Sequence, residues 1–151
     1  MRPVSVVARR TVDGEFAALR KALLNDPSRW LPALLEAAHG RAILLQAETR
    51  LGHLSREVQI DVGAPQLRPA SVHLPISWRS KRASALFPVL KGRLRLYHLA
   101  GGTTRIELRG EYVPPAGLVG RAADVALLRS VAKATVEEFV ERVAQLLADQ
   151  A

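Results

Sequence analysis

At 151 residues, with 48% hydrophobic and 24% charged residues, the chain has the composition of one globular domain over residues 1–151. The absence of cysteine removes disulfides, thiolate nucleophiles and cysteine-ligated zinc, and it suits a reducing compartment. A formal net charge of +8 admits a nucleic-acid or anionic-membrane partner, although a solvated basic surface accounts for it more simply.

The opening run from Met1 to Arg10 is too short and too broken for a secretory h-region. No apolar run approaches the roughly 20 residues of a membrane span. A soluble, cytoplasmic protein is expected.

Val4 to Thr11 reads as a strand that stops at Asp13-Gly14. A short helix follows over about 14–24, where Phe16, Leu19, Leu23 and Leu24 recur at helical spacing. Asn25-Asp26-Pro27 breaks it; Pro27 suits a first helical position, with Asp26 as cap. A second short helix, with Trp30, Leu31, Leu34 and Leu35 as its stripe, runs to about Ala38 and ends at Gly40.

From Arg41 to Val113 the period changes to two. Arg41 to Thr49 reads as a strand, with Ile43, Leu45 and Ala47 alternating against polar neighbours. In the next, Leu54, Val58, Ile60 and Val62 alternate with Glu57, Gln59 and Asp61. Then Val72, Leu74, Ile76 and Trp78 share one face, and Pro75 among them calls for an edge or bulged position.

The clearest unit is a hairpin. Leu94 and Leu96 must share a face with Ile106 and Leu108, and a three-residue loop, Ala100-Gly101-Gly102, allows it. That register sets Leu96 against Ile106, Leu94 against Leu108, Arg95 against Glu107 and Lys91 against Glu111. Arg93 facing Arg109 is its one bad pair. Past Pro114-Pro115, a long helix is expected from about Leu118 to Ala148, with Leu128, Ala132, Thr135, Phe139, Val143 and Leu146 as its apolar stripe. One further strand is expected within Arg79 to Leu90.

Chemical motifs are sparse. There is no glycine-rich phosphate loop, no G-x-S-x-G elbow and no H-E-x-x-H. His39, His53, His73 and His98 are scattered, and none pairs with another at ligand spacing. No metal or cofactor is expected. His98 and Tyr112 carry inward parity on their strands, so they form either a polar rim to an apolar space or ordinary strand-end and core residues. Asp124, early in the long helix, complements its dipole. The run Trp78-Arg79-Ser80-Lys81-Arg82 is a phosphate patch or, with only one aromatic, a solvated loop.

The order of elements, one strand, two short helices, a run of antiparallel strands and a long amphipathic helix, resembles the START-like, Bet v 1-like superfamily. Its bacterial polyketide-cyclase and lipid-transport members look closest. The resemblance rests on Asp26-Pro27-Ser28-Arg29-Trp30-Leu31-Pro32, on Leu86-Phe87-Pro88-Val89-Leu90, and on Gly110-Glu111-Tyr112-Val113-Pro114-Pro115-Ala116-Gly117 leading to Gly120 and Asp124. It implies an α+β helix-grip fold, a curved antiparallel sheet wrapped around a C-terminal helix. It also implies a cavity for a lipid, a polyketide-like molecule or another bulky apolar ligand.

The expected lining is Trp78, Leu94, Leu96, His98, Ile106, Leu108 and Tyr112 from the sheet. From the helix it is Leu128, Ala132, Thr135 and Phe139. Lys81 and Arg82 near the mouth would favour an acidic headgroup. Non-catalytic binding is the first expectation. A cyclase or dehydratase in the same cavity would need an acid or base, and His98 and Tyr112 are the only candidates. A third reading is a basic surface for RNA or anionic membrane, with Arg93, Arg95, Arg105 and Arg109 as footprint. The interleaved Glu107 and Glu111 argue against it.

Overall fold

A computed structural model describes residues 4–46, 58–80, 89–113 and 122–150. In chain order they form β1 (Val4–Asp13), α1 (Phe16–Leu24), α2 (Pro27–Gln46), β2 (Val58–Val62), β3 (Gln66–Arg68), β4 (Ser71–Ser80), β5 (Val89–Leu99), β6 (Thr103–Val113) and α3 (Ala122–Gln150). The strands make one six-stranded sheet in the order β1-β6-β5-β4-β2, with β3 also on β4. Every pairing is antiparallel.

The β5–β6 hairpin has the register that its apolar alternation demands: Leu96 faces Ile106, Leu94 faces Leu108, and Arg93 faces Arg109. Gly101 and Gly102 both take left-handed backbone, at φ 77° and 71°, which a residue with Cβ would resist. The hairpin tip is fastened to the end of β1. The Gly14 amide donates to the Gly102 carbonyl at 2.9 Å, and the Thr104 hydroxyl donates to the Gly14 carbonyl at 3.0 Å.

Period-two patterning puts Val72, Leu74, Ile76 and Trp78 on the buried face of β4. Pro75 lies inside β4, yet it faces the Gly63–Pro65 break between β2 and β3. Its carbonyl accepts from the Gly63 amide at 2.8 Å. The N–H and C=O of a strand residue point to the same neighbour, so the missing donor falls where the partner strand is interrupted.

Two expectations are corrected. The second helix does not stop at Gly40; it runs on to Gln46, so the strand expected over Arg41 to Thr49 is helical as far as Gln46. Ile43, Leu45 and Ala47 fit a period of two, but Leu31, Leu35, Ala38, Ala42 and Leu45 also recur at spacings of three and four, and short apolar runs satisfy both. Packing decides: α2 lies against α3, and Arg41 Nε reaches Glu138 Oε1 at 3.8 Å. That outweighs the roughly 1 kcal/mol cost of an interior glycine. On α3, Leu147 is fully buried, while Leu146 is half-buried, so the stripe ends one residue later than expected.

The extra strand expected within Arg79 to Leu90 falls mostly on 81–88, outside the described residues. Lys81, Arg82, Leu54 and Glu57 also lie outside them, as do residues 114–121, where the long helix was expected to begin. Among the described residues, no helix is long and apolar enough to cross a membrane.

Candidate functional site between the sheet and α3

The buried face of the sheet and α3 enclose one core. α3 packs over β1 and β6 and against α2, and α2 reaches β2. Trp78, Leu94, Leu96, Ile106, Leu108 and Tyr112 enter this core from the sheet. Ala132 and Phe139 enter from α3, and Thr135 is buried beside them at 2% exposure. The Trp78 and Phe139 rings meet edge to face, centroids 6.0 Å apart, so β4 and α3 touch across the middle. The side chain of Leu128 lies outside what the structure describes.

Tyr112 is the unusual member. It is 2% exposed, and its hydroxyl has no hydrogen-bond partner. Burial pushes its phenol well above the ordinary value. Buried tyrosine hydroxyls generally find a partner, so this one leaves an unmet hydrogen bond in an apolar interior.

Beside Tyr112 the lining thins. Gly92 pairs with Gly110, so the buried faces of β5 and β6 lack a side chain at the same level. A Cβ on Gly92 would come within 2.6 Å of the Arg109 carbonyl oxygen, and one on Gly110 within 2.7 Å of the Lys91 carbonyl oxygen. The two strands cross closer here than any other residue type permits.

His98 departs from its expected place. It follows the inward parity of Leu94 and Leu96, but it sits at the turn end of the hairpin and is exposed, its ring edge-on to Phe16 at 6.0 Å. His98 pairs with Thr104 and Leu90 with Tyr112. At about 3.3 Å per residue, those levels are roughly 26 Å apart. The two groups named for acid–base chemistry therefore do not converge on one ligand. Among the described residues, no three His, Asp or Glu side chains cluster to hold a metal ion. A surface depression of about 800 Å³ lies elsewhere, between α1 and the end of α3, bordered by Lys21, Asn25 and Gln150.

The opposite face of the sheet holds a second polar centre. Glu107 is 5% exposed although it lies on the outward parity. Arg9 Nε donates to it at 2.6 Å, Arg109 Nε lies at 3.5 Å and Arg95 Nη1 at 3.8 Å. Burial pushes its carboxyl up, but the guanidinium bonds from Arg9 and Arg109 outweigh that and hold it below the usual carboxylate range. Arg95 also donates to the Tyr97 hydroxyl at 3.0 Å, and His73 lies edge-on to Tyr97 at 6.0 Å. Sequence reasoning set Arg95 against Glu107 but missed Arg9, because its place opposite Glu107 depends on β1 pairing with β6.

His73 gives this face a pH response. Burial holds its pKa below the ordinary 6.5, and Arg95, Arg68 and Arg93 push the same way, against Glu107. An unfolded chain takes up a proton near 6.5 that the folded one refuses, so stability falls as pH drops through that value. His73→Gln should flatten the decline in Tm between about pH 7 and pH 5. The Glu107 contribution is lost only at lower pH, below 4.5. An unchanged slope in the variant would assign the effect to another group.

The single antiparallel sheet, the two helices after β1 and the C-terminal helix packed on the sheet's buried face make the α+β helix-grip arrangement expected from the order of elements. No protein-family model matches the chain, and no curated protein matches it in sequence. Among solved structures it is similar to the hypothetical protein jhp0584 from Helicobacter pylori, at 16% identity over 92% of this chain and 87% of that one, TM-score 0.48. It is also similar to the Zhui aromatase/cyclase from Streptomyces sp. R1128, at 12% identity over 94% of each chain, TM-score 0.42. A third is Ara h 8.0201, at 10% identity over 95% of this chain and 99% of that one, TM-score 0.41.

Proposed function

We propose that this protein binds an apolar or amphipathic small molecule, a lipid or a polyketide-like compound, between the sheet and α3. The Tyr112 hydroxyl bonds the ligand's single polar group. The unpaired, inward hydroxyl carries this reading, and the glycine level beside it supplies lining without side-chain bulk. Apolar sites of this kind need only a few placed polar groups. Leu94, Leu108, Ala132, Thr135 and Phe139, all buried in the same core, are the proposed lining. Among the described residues no acid–base pair converges on the same space, and this favours carriage or sensing of the ligand over its cyclisation or dehydration.

Native mass spectrometry of protein purified from its own host, followed by denaturing extraction, tests the reading directly. A stoichiometric apolar mass supports it; an empty protein that also takes up no apolar probe sinks it. Tyr112→Phe separates function from packing. Removing a buried, unpaired hydroxyl should raise the stability of the empty protein by about 1 kcal/mol. It should also weaken the extracted ligand about 5- to 10-fold, the worth of one hydrogen bond. Higher stability with unchanged affinity would make Tyr112 a plain core residue.

A further inference from the structure

The outward face of the sheet is open and strongly basic. Arg9 on β1, Lys91, Arg93 and Arg95 on β5, and Arg105 and Arg109 on β6 all carry outward parity. All are exposed except Arg95, which is half-buried. Arg93 stands directly opposite Arg109, an arrangement that costs stability in an isolated sheet.

The objection to a binding role was the interleaved acids. Glu111 is exposed on the same face, opposite Lys91, but Glu107 does not present its charge to solvent. It is buried beneath Arg9, Arg95 and Arg109 and contacts all three, so one carboxylate holds three guanidinium groups in place and leaves a net positive surface. Arg95 Nε is buried without a partner, and a native donor left so calls for an explanation. Tyr97 lies half-buried among these arginines, opposite Arg105 and braced by the edge of His73.

We infer that this face binds single-stranded nucleic acid, its phosphates on the arginines ordered around Glu107 and an unpaired base stacked on Tyr97. Strand geometry sets the arginines at steps of about 5 Å between strands and about 7 Å along them, so a chain of repeating phosphates meets several at once. Guanidinium groups pair with phosphate through two parallel bonds and also stack on bases. Tyr97, braced by the buried His73 ring, supplies the stacking surface that polyanion attraction alone would not need. A membrane fits less well: the exposed large hydrophobic residues among those described are Leu67 and Val89. They make no cluster on this face to enter a bilayer. The inference stands independently of the interior ligand.

The test is fluorescence anisotropy of the full chain with a labelled oligouridylate of about 12 nucleotides, within the usual site sizes. Four phosphate contacts predict a log–log salt slope near −2.8, so affinity should fall about 50-fold from 50 to 200 mM salt. Tyr97→Leu should weaken binding about tenfold at constant charge, and Arg93→Gln/Arg109→Gln by at least as much. Arg129→Gln/Lys133→Gln removes equal charge from exposed positions on α3 and should leave affinity within about twofold. Circular dichroism confirms that each variant is folded. The inference is overturned if the oligonucleotide fails to bind at 50 mM salt, or if both arginine pairs weaken it equally. A Tyr97→Leu protein that binds as tightly as the parent, or duplex RNA bound as well as the single strand, removes stacking and overturns it too. Vesicles of phosphatidylcholine and phosphatidylglycerol bound in preference to the oligonucleotide would assign the face to a membrane instead.

Discussion

Gly92→Ala should lower the unfolding free energy by about 3 kcal/mol, and Gly110→Ala by a similar amount, near the upper end for overpacked sites. Most buried small-to-large changes are relieved by a neighbouring side chain that swings away. Here the nearest atoms are backbone. A methyl on Gly92 meets the Arg109 carbonyl oxygen at 2.6 Å and the Gly110 Cα at 2.9 Å, so only a shift of one strand against the other makes room. That shift is felt along the β5–β6 pair on both sides of the Gly92–Gly110 level. The two glycines share one close approach of the strands, so once one replacement has separated the strands the second costs less. The double variant should therefore be less destabilised than the sum of the singles, a coupling that a double-mutant cycle reads in urea unfolding. Strict additivity would mean that each glycine answers to a different constraint.

The hairpin was legible because three local signals agreed: alternation on both strands, opposite charges across the register, and a loop of the right length ending in two glycines. Gly110 continues the inward parity of Ile106 and Leu108, but its pairing with Gly92 acquires meaning only because a Cβ at either position would strike backbone. The α2 boundary was illegible for a different reason. Residues 41–46 satisfy both periods, and the choice is made by α3, about a hundred residues away in sequence. Glu107 was misjudged through parity. An outward glutamate between outward arginines reads as a solvated strand face, and nothing local says that Arg9 will close over it from β1. Its depressed pKa and burial follow from that non-local pairing. The same blind spot led the basic face, legible in Arg93, Arg95, Arg105 and Arg109, to be discounted, since Glu107 counts against it only while its burial under Arg9 is unknown.

Phe139→Ala should cost about 3 to 5 kcal/mol, a large share of the 5 to 15 kcal/mol that holds a domain of this kind. Phe139 is fully buried, and its contact with Trp78 is where α3 meets β4. The size of the loss reports what surrounds the ring. If side chains alone fill the interior, truncation leaves a new void, and the cost lies near the top of the range. If a ligand space already adjoins the ring, the deleted volume merges with that space and the cost lies near the bottom. Nile red distinguishes the two better than an anionic probe, which the arginine face would attract. In the second case the added volume admits more dye, and saturating Nile red should raise the Tm of Phe139→Ala more than that of the parent, as expected when a ligand binds only the folded state. The chain has two tryptophans, and Trp30 is partly buried against the same core, its indole donating to the Asn25 carbonyl at 3.1 Å, so its emission would be mixed with that of Trp78. A Trp30→Phe background therefore leaves Trp78 as the sole reporter, and dye entering beside it should quench its emission. Loss of stability near 5 kcal/mol, with no dye uptake and no quenching in either protein, would mean that the sheet and α3 are packed against each other and hold no ligand between them.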